Sequence, residues 1–192
     1  MSFIADPFVV LIDACAMVPV RARDVMLTFD RHGLFRARLT CDILDEWERA
    51  LVGRIGIAKQ NVAEQRRLIE DAFDANLVTG YGPLIAGLTL PDPKDRHVLA
   101  AAIKCSAQHI ITHNHRDFPS DVLEEFDIST LTPDEFLSDT FELYPTQALA
   151  ALRGIRMKFK NPAMNPGAFL LDMTAQGLPR LAARVRDGIE FL

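Results

Sequence analysis

Phe8-Val9-Val10-Leu11-Ile12-Asp13 is the stretch on which the fold turns. Five apolar residues, three of them β-branched, run without any polar alternation. That pattern belongs to a strand buried on both faces, as in a parallel sheet. The run stops at an aspartate. In open α/β sheets the ligand crevice lies outside the carboxyl ends of the strands, so Asp13 is placed to face that crevice. An aspartate there can also simply cap the turn that follows, and position alone leaves both roles open.

Outward from this strand, elements alternate. Residues 20–33 read as a helix ending near Gly33, and Leu34–Thr40 as a second short strand. A helix from Asp42 to about Gly53 carries one apolar stripe of Ile43, Trp47, Ala50, Leu51 and Ile55. Another covers 58–74. Gly80, Gly82, Pro83 and Gly87 make Asn76–Leu88 a loop or broken structure. In Leu90-Pro91-Asp92-Pro93-Lys94-Asp95, Asp92 is a good N-cap, Pro93 suits the first helical position and Asp95 falls at the third. The helix body follows over His97–Ser106. His109–Thr112 reads as a strand and Glu125–Leu131 holds another. Thr132-Pro133-Asp134-Glu135 is a capping box. Strands alternating with helices imply an α/β layer fold with a central parallel sheet over 1–140. From 141 to 192 the pattern is helical only. Leu149, Leu152, Ile155 and Phe159 form one stripe, Asn161-Pro162 and Asn165-Pro166 break the chain, and helices follow around 167–176 and 179–190.

Composition narrows the class. The 192 residues are 49% apolar and 24% charged, as in a soluble globular protein. No apolar run approaches the roughly 20 residues that span a bilayer, and Met1–Pro7 lacks the basic start of a signal peptide. Cys15, Cys41 and Cys105 are an odd set without CxxC spacing, which suits buried free thiols in a reducing cytoplasm. The net charge of −5 argues mildly against a nucleic-acid binder. Its distribution is uneven: 14 basic and 22 acidic residues fall in 1–140, against seven basic and four acidic from Phe141 onward. The acidic part suits a cation site. The basic part suits phosphates, or else a solvated helix face.

Four carboxylates stand out. Asp13 ends the first strand. Glu46 lies one turn into its helix beside the apolar stripe, where an unpaired charge is unusual; it also has Arg49 and Arg54 within reach. Asp95 sits in a first helical turn, where backbone amides favour negative charge. Asp117 follows the short strand in Thr112-His113-Asn114-His115-Arg116-Asp117-Phe118. Thr112 and Asn114 are candidates to hydrogen-bond a water or a phosphate oxygen. His97, His113 and His115 read as packing or surface residues rather than ligands. Mg²⁺ and Mn²⁺ prefer oxygen ligands and keep several waters, so one to four carboxylates suffice. A carboxylate cluster without a cation repels itself and raises some of its pKa values.

Val10-Leu11-Ile12-Asp13-Ala14, Glu46 within Ile43-Leu44-Asp45-Glu46-Trp47, the segment Leu90–Ala102 with Asp95, and Thr112-x-Asn114-x-x-Asp117-Phe118 together resemble the PIN-domain family over about residues 8–137. The resemblance implies a Rossmann-like α/β/α sandwich and a Mg²⁺- or Mn²⁺-dependent ribonuclease centre. Asp13, Glu46, Asp95 and Asp117 would be its acids and metal ligands. Many bacterial relatives are VapC-type toxins that cleave RNA, are held inactive by a VapB-type antitoxin, and dimerise. The tail is similar to that of one VapC-like branch. Asn114 stands where many relatives carry an acid. A catalytically weak PIN scaffold that binds RNA or protein is therefore the alternative. An aspartyl-phosphate phosphatase would need a second acid where Cys15 stands, and dinucleotide binding would need a glycine-rich turn after the first strand.

Overall fold

Val10, Leu11 and Ile12 have no exposed surface, as a strand covered on both faces requires. They lie in β1 (Val9–Ile12) of a computed structural model that describes residues 7–73 and 76–192. The sheet has the order β2-β1-β3-β4, with β2 at Arg36–Arg38, β3 at His109–Ile111 and β4 at Ser129–Leu131. β1 and β3 are parallel, with Ile12 opposite Ile111, and β3 and β4 are parallel, with Ile111 opposite Leu131. The expected parallel α/β architecture is present. The chain divides into two compact units, one formed by Val9–Val18 and Ala37–Leu131, the other by the segment ending at Phe8 with Pro19–Arg36 and Thr132–Leu192.

In the first unit, β1 runs directly into the short helix α1 (Ala14–Met17). Thr40 begins α3 (Cys41–Ala50) by accepting the Ile43 amide at 3.0 Å. Trp47 is fully buried, and its indole N–H donates to the Met17 carbonyl at 3.1 Å. That bond ties the middle of α3 to the end of α1. After Ala50 the helix widens into a π-helical turn, Leu51–Ile55, closed by Gly56 at φ +80°. The wider turn takes Ile55 off the buried stripe and leaves it exposed, contrary to the 3.6-residue expectation. In α4 (Lys59–Phe73), Arg66 reaches back to Asp45 and Glu48 of α3. The expected end of this helix at Asp74 lies outside the described residues. The segment expected to be broken holds one short helix, α5 (Gly82–Ile85), and Tyr81 before it donates to Asp42 Oδ2 at 2.7 Å.

Asp92 caps a 3-10 turn (Pro93–Asp95) by accepting the Lys94 amide at 2.9 Å, and α6 (Arg96–Lys104) continues from it. Ala100, Ala101 and Ala102 are fully buried in α6, which packs on β1 and β3. Short side chains allow that close approach. A 3-10 turn (His115–Asp117) and α7 (Ser120–Glu124) link β3 to β4. All three cysteines are free, but Cys41 is exposed and Cys15 and Cys105 are only partly buried, so the expectation of buried thiols is corrected.

The second unit holds α2 (Val20–Arg31), α8 (Pro133–Leu143), α9 (Pro145–Arg156), α10 (Pro166–Ala175) and α11 (Pro179–Val185), which leads into a 3-10 turn (Arg186–Phe191). The expected capping box opens α8 through Thr132 and Glu135. Arg21 of α2 is buried. It pairs with Asp172 of α10 at 2.6 Å and lies over the rings of Phe159 and Phe169 at 4.9 and 5.3 Å. Asp134 is also buried, and it accepts the Arg180 and Leu181 amides at 2.9 and 3.0 Å, capping α11 from α8. Asp134→Ala orphans both donors and should lower stability by about 2 kcal/mol. A urea midpoint unchanged at constant slope would disprove that role.

Candidate active site

Asp13 leaves β1 with its backbone amide still donating to Ile111 O at 3.0 Å, so the strand pairing itself sets where the carboxylate begins. Asp13 is buried, with 8% of the residue's surface exposed. Oδ1 accepts the Ala14 amide at 2.6 Å, which caps α1. Oδ2 accepts the Thr112 hydroxyl at 2.7 Å and the Cys15 thiol at 3.0 Å. Both roles left open for Asp13 are thus compatible, since a carboxylate has about four lone-pair directions. Burial, then the Asp13 charge and hydrogen bond, push the Cys15 thiol up to about 12. It stays protonated and donates.

Asp95 ends the 3-10 turn before α6. Its Oδ2 is buried and has no hydrogen-bond partner. Its pKa rises from 3.8 to about 6, by burial first and then by the charges of Asp13, Asp117, Asp92 and Glu46. The strand-end acid, the α3 acid and the acid after β3 therefore all act electrostatically on one carboxylate. Glu46 Oε1 lies 3.3 Å from His97 Nε2 and 3.7 Å from the exposed Arg49 guanidinium. The His97 contact lacks hydrogen-bond alignment and is an ion pair only when the imidazole is protonated; Nδ1 also lacks a partner. Burial alone would lower the His97 pKa. Its contact with Glu46 and the nearby acids outweigh burial and raise it. His97 was expected to be a packing or surface residue; the α6 periodicity that buries Val98 and Leu99 instead turns it toward Glu46.

Beyond β3, Asn114 donates its side-chain amide to Asp117 Oδ2. Its backbone N–H donates to Thr112 Oγ1 at 2.9 Å. Thr112 is fully buried, with its hydroxyl committed to Asp13. His115 bonds to Thr130 at 2.8 Å, and burial and then His115 lower the His113 pKa. In the sequence Cys15 reads as a free thiol and as the absence of a second acid, not as a partner of Asp13. Its contacts depend on the β1–β3 register, which brings residues about a hundred positions apart together.

A divalent cation fits this chemistry. The donor set is oxygen, one buried carboxylate oxygen lacks a partner, and the repulsion that raises Asp95 is what a cation removes. Among the described residues no group of three or more His, Cys, Asp or Glu side chains is placed to hold a metal ion. Mg²⁺ does not need one, because it binds through one or two carboxylates and keeps its waters. A groove of about 530 Å³ lies elsewhere, along α3 and the π-helical turn, lined by Asp45, Glu48, Arg49, Val52, Gly53 and Lys59. It contains none of the four acids. The orphaned carboxylate oxygen, not a cavity, carries the chemical argument.

No helix among the described residues is long and apolar enough to cross a membrane. The family profile described as PIN domain matches residues 9–116, more than half of the chain. The profile described as VapC50 C-terminal domain matches residues 133–187. A Mycobacterium tuberculosis protein named "Putative ribonuclease VapC50" is 39% identical over 107 residues, which are 56% of this chain and 62% of the relative. No solved structure matches. The sheet order, the strand-end acids and the profile match agree: the chain belongs to the PIN-domain family.

Proposed function

We propose that this chain is a divalent-cation-dependent endoribonuclease that hydrolyses RNA phosphodiester bonds. The observation that carries the reading is the buried, unpartnered Asp95 Oδ2 set in the field of Asp13, Glu46 and Asp117. The name of the M. tuberculosis relative supports the reaction class.

Asp13 and Asp95 would hold Mg²⁺ or Mn²⁺. When bound, such a cation lowers the pKa of a water and polarises a phosphodiester oxygen. Glu46 orients or deprotonates the attacking water, or completes the cation's shell. His97 beside it sets the direction of the Glu46 carboxylate. Asp117 would hold a second cation or its waters, and Asn114, which hydrogen-bonds Asp117, would donate to a phosphate oxygen. Thr112 aims Asp13 at the crevice. In the cell we propose that the chain is the toxin of a VapB-type pair, active in the cytoplasm as a homodimer. The basic excess after residue 140 would contribute to RNA binding.

Metal linkage tests the reading. At Mn²⁺ concentrations 100 times the dissociation constant, the folded state should gain about 2.7 kcal/mol, reversed by chelator. A melt that does not move, alongside intact RNA, would replace the nuclease with the RNA- or protein-binding scaffold.

A further inference from the structure

Cys15 Sγ touches three groups from two strand ends. Its thiol donates to Asp13 Oδ2 at 3.0 Å, it lies 3.2 Å from Thr112 Oγ1, and it accepts the His113 backbone N–H at 3.2 Å. Asp13 is the N-cap of α1 and Cys15 lies in its first turn, whereas Thr112 and His113 belong to the exit of β3. The same exit leads to Asn114 and Asp117, which Thr112 steadies through the Asn114 backbone N–H.

We propose that Cys15 is a positioning residue that locks the Asp13 carboxylate to the loop after β3, so that the acids of the two strand ends are held in one cation-binding arrangement. This rests on the cation site assigned above. The argument is geometric. Asp13 Oδ2 receives two donors, the Cys15 thiol from α1 and the Thr112 hydroxyl from the exit of β3, and two donors define an oxygen's direction where one leaves it free to swing. The thiol also accepts, so it transmits the position of the His113 backbone to the carboxylate. A side chain with only a donor would make half of this connection, and one with only bulk would make none of it. Serine keeps both functions in a slightly smaller group. Valine keeps the volume and loses both. Alanine loses volume and both functions.

The test uses the full chain carrying Cys15→Ser, Cys15→Val or Cys15→Ala. Two readouts are needed: Mn²⁺ affinity by electron paramagnetic resonance, and exchange of the His113 amide in cation-free protein. Groups that hydrogen-bond a metal's ligands are worth about 10–100-fold in metal affinity. Cys15→Val and Cys15→Ala should weaken Mn²⁺ binding by at least about tenfold and speed His113 exchange by a similar factor, while Cys15→Ser stays within about threefold of wild type on both. Should one apolar variant fail to fold, the other, of different volume, gives the result. Wild-type Mn²⁺ affinity and unchanged His113 exchange in a folded apolar variant would overturn the proposal. Absence of Mn²⁺ binding by the wild type would overturn the cation site instead, and His113 exchange would still decide whether Cys15 holds the loop.

Discussion

Asp13→Asn is expected to cut Mn²⁺-dependent RNA cleavage by between about a hundredfold and ten-thousandfold, because the cation contributes several kcal/mol to the transition state and each 1.36 kcal/mol is about tenfold. The geometry also says what else the substitution does. Three donors converge on the Asp13 carboxylate: the Ala14 amide on Oδ1, and the Thr112 hydroxyl and Cys15 thiol on Oδ2. A carboxylate accepts all three. A carboxamide accepts on one side only, so one donor must face an NH₂ group. That mismatch costs about 1–3 kcal/mol. Relief of repulsion with Asp95 offsets part of it. The variant should therefore fold, with a modest fall in melting temperature, and show almost no cleavage. Single-turnover rates on a single-stranded RNA, with circular dichroism to confirm folding, separate the two effects. Cleavage within tenfold of wild type would remove Asp13 from the mechanism.

The positions of the acids were legible because each follows from a one-dimensional signal. An uninterrupted apolar run that stops at Asp13 gives a buried strand and its end. The Asp92-Pro93 cap places Asp95 at a helix start, and the structure keeps it there in a 3-10 turn rather than in the α-helix itself. Register is different. Thr112 reaches Asp13, and Cys15 reaches His113, only because β1 pairs with β3 so that Ile12 lies opposite Ile111. Nothing local to either segment encodes that alignment. The role expected of Thr112 shows the consequence, since a hydroxyl at a strand end reads as a substrate contact until the partner strand is in place. Ile55 illustrates a second limit. Period counting assumes a constant 3.6 residues per turn, and the π-helical turn after Ala50 breaks that assumption. A third limit is α2, whose Arg21 pairs with Asp172 about 150 residues later, within the unit built from the C-terminal helices. Periodicity can propose a helix there, but not the layer it joins.

Asp95→Asn should give two effects of opposite sign. In the cation-free protein the Asp95 pKa lies at about 6, above its ordinary 3.8. Between those values the unfolded chain has already lost the proton that the folded chain keeps. Stability of the cation-free protein therefore falls as pH rises from about 4 to 6, and this contribution stays lost at higher pH. Because Asp95 is partly exposed, the cost at neutral pH is best taken as on the order of 1 kcal/mol. Asparagine at this position carries no charge to repel. Cation-free Asp95→Asn should thus melt about 2–4 °C higher than wild type at pH 7.5 and no higher at pH 4. Added Mn²⁺ should then stabilise wild type and leave the variant almost unmoved, with cleavage lost. A structural ion pair or helix cap predicts the reverse, a variant destabilised at neutral pH. If a bound cation normally offsets the Asp95 charge, removing that charge is stabilising and inactivating at once. A lower cation-free melting temperature, or a Mn²⁺ shift equal to that of wild type, would show that Asp95 is not held as a cation ligand.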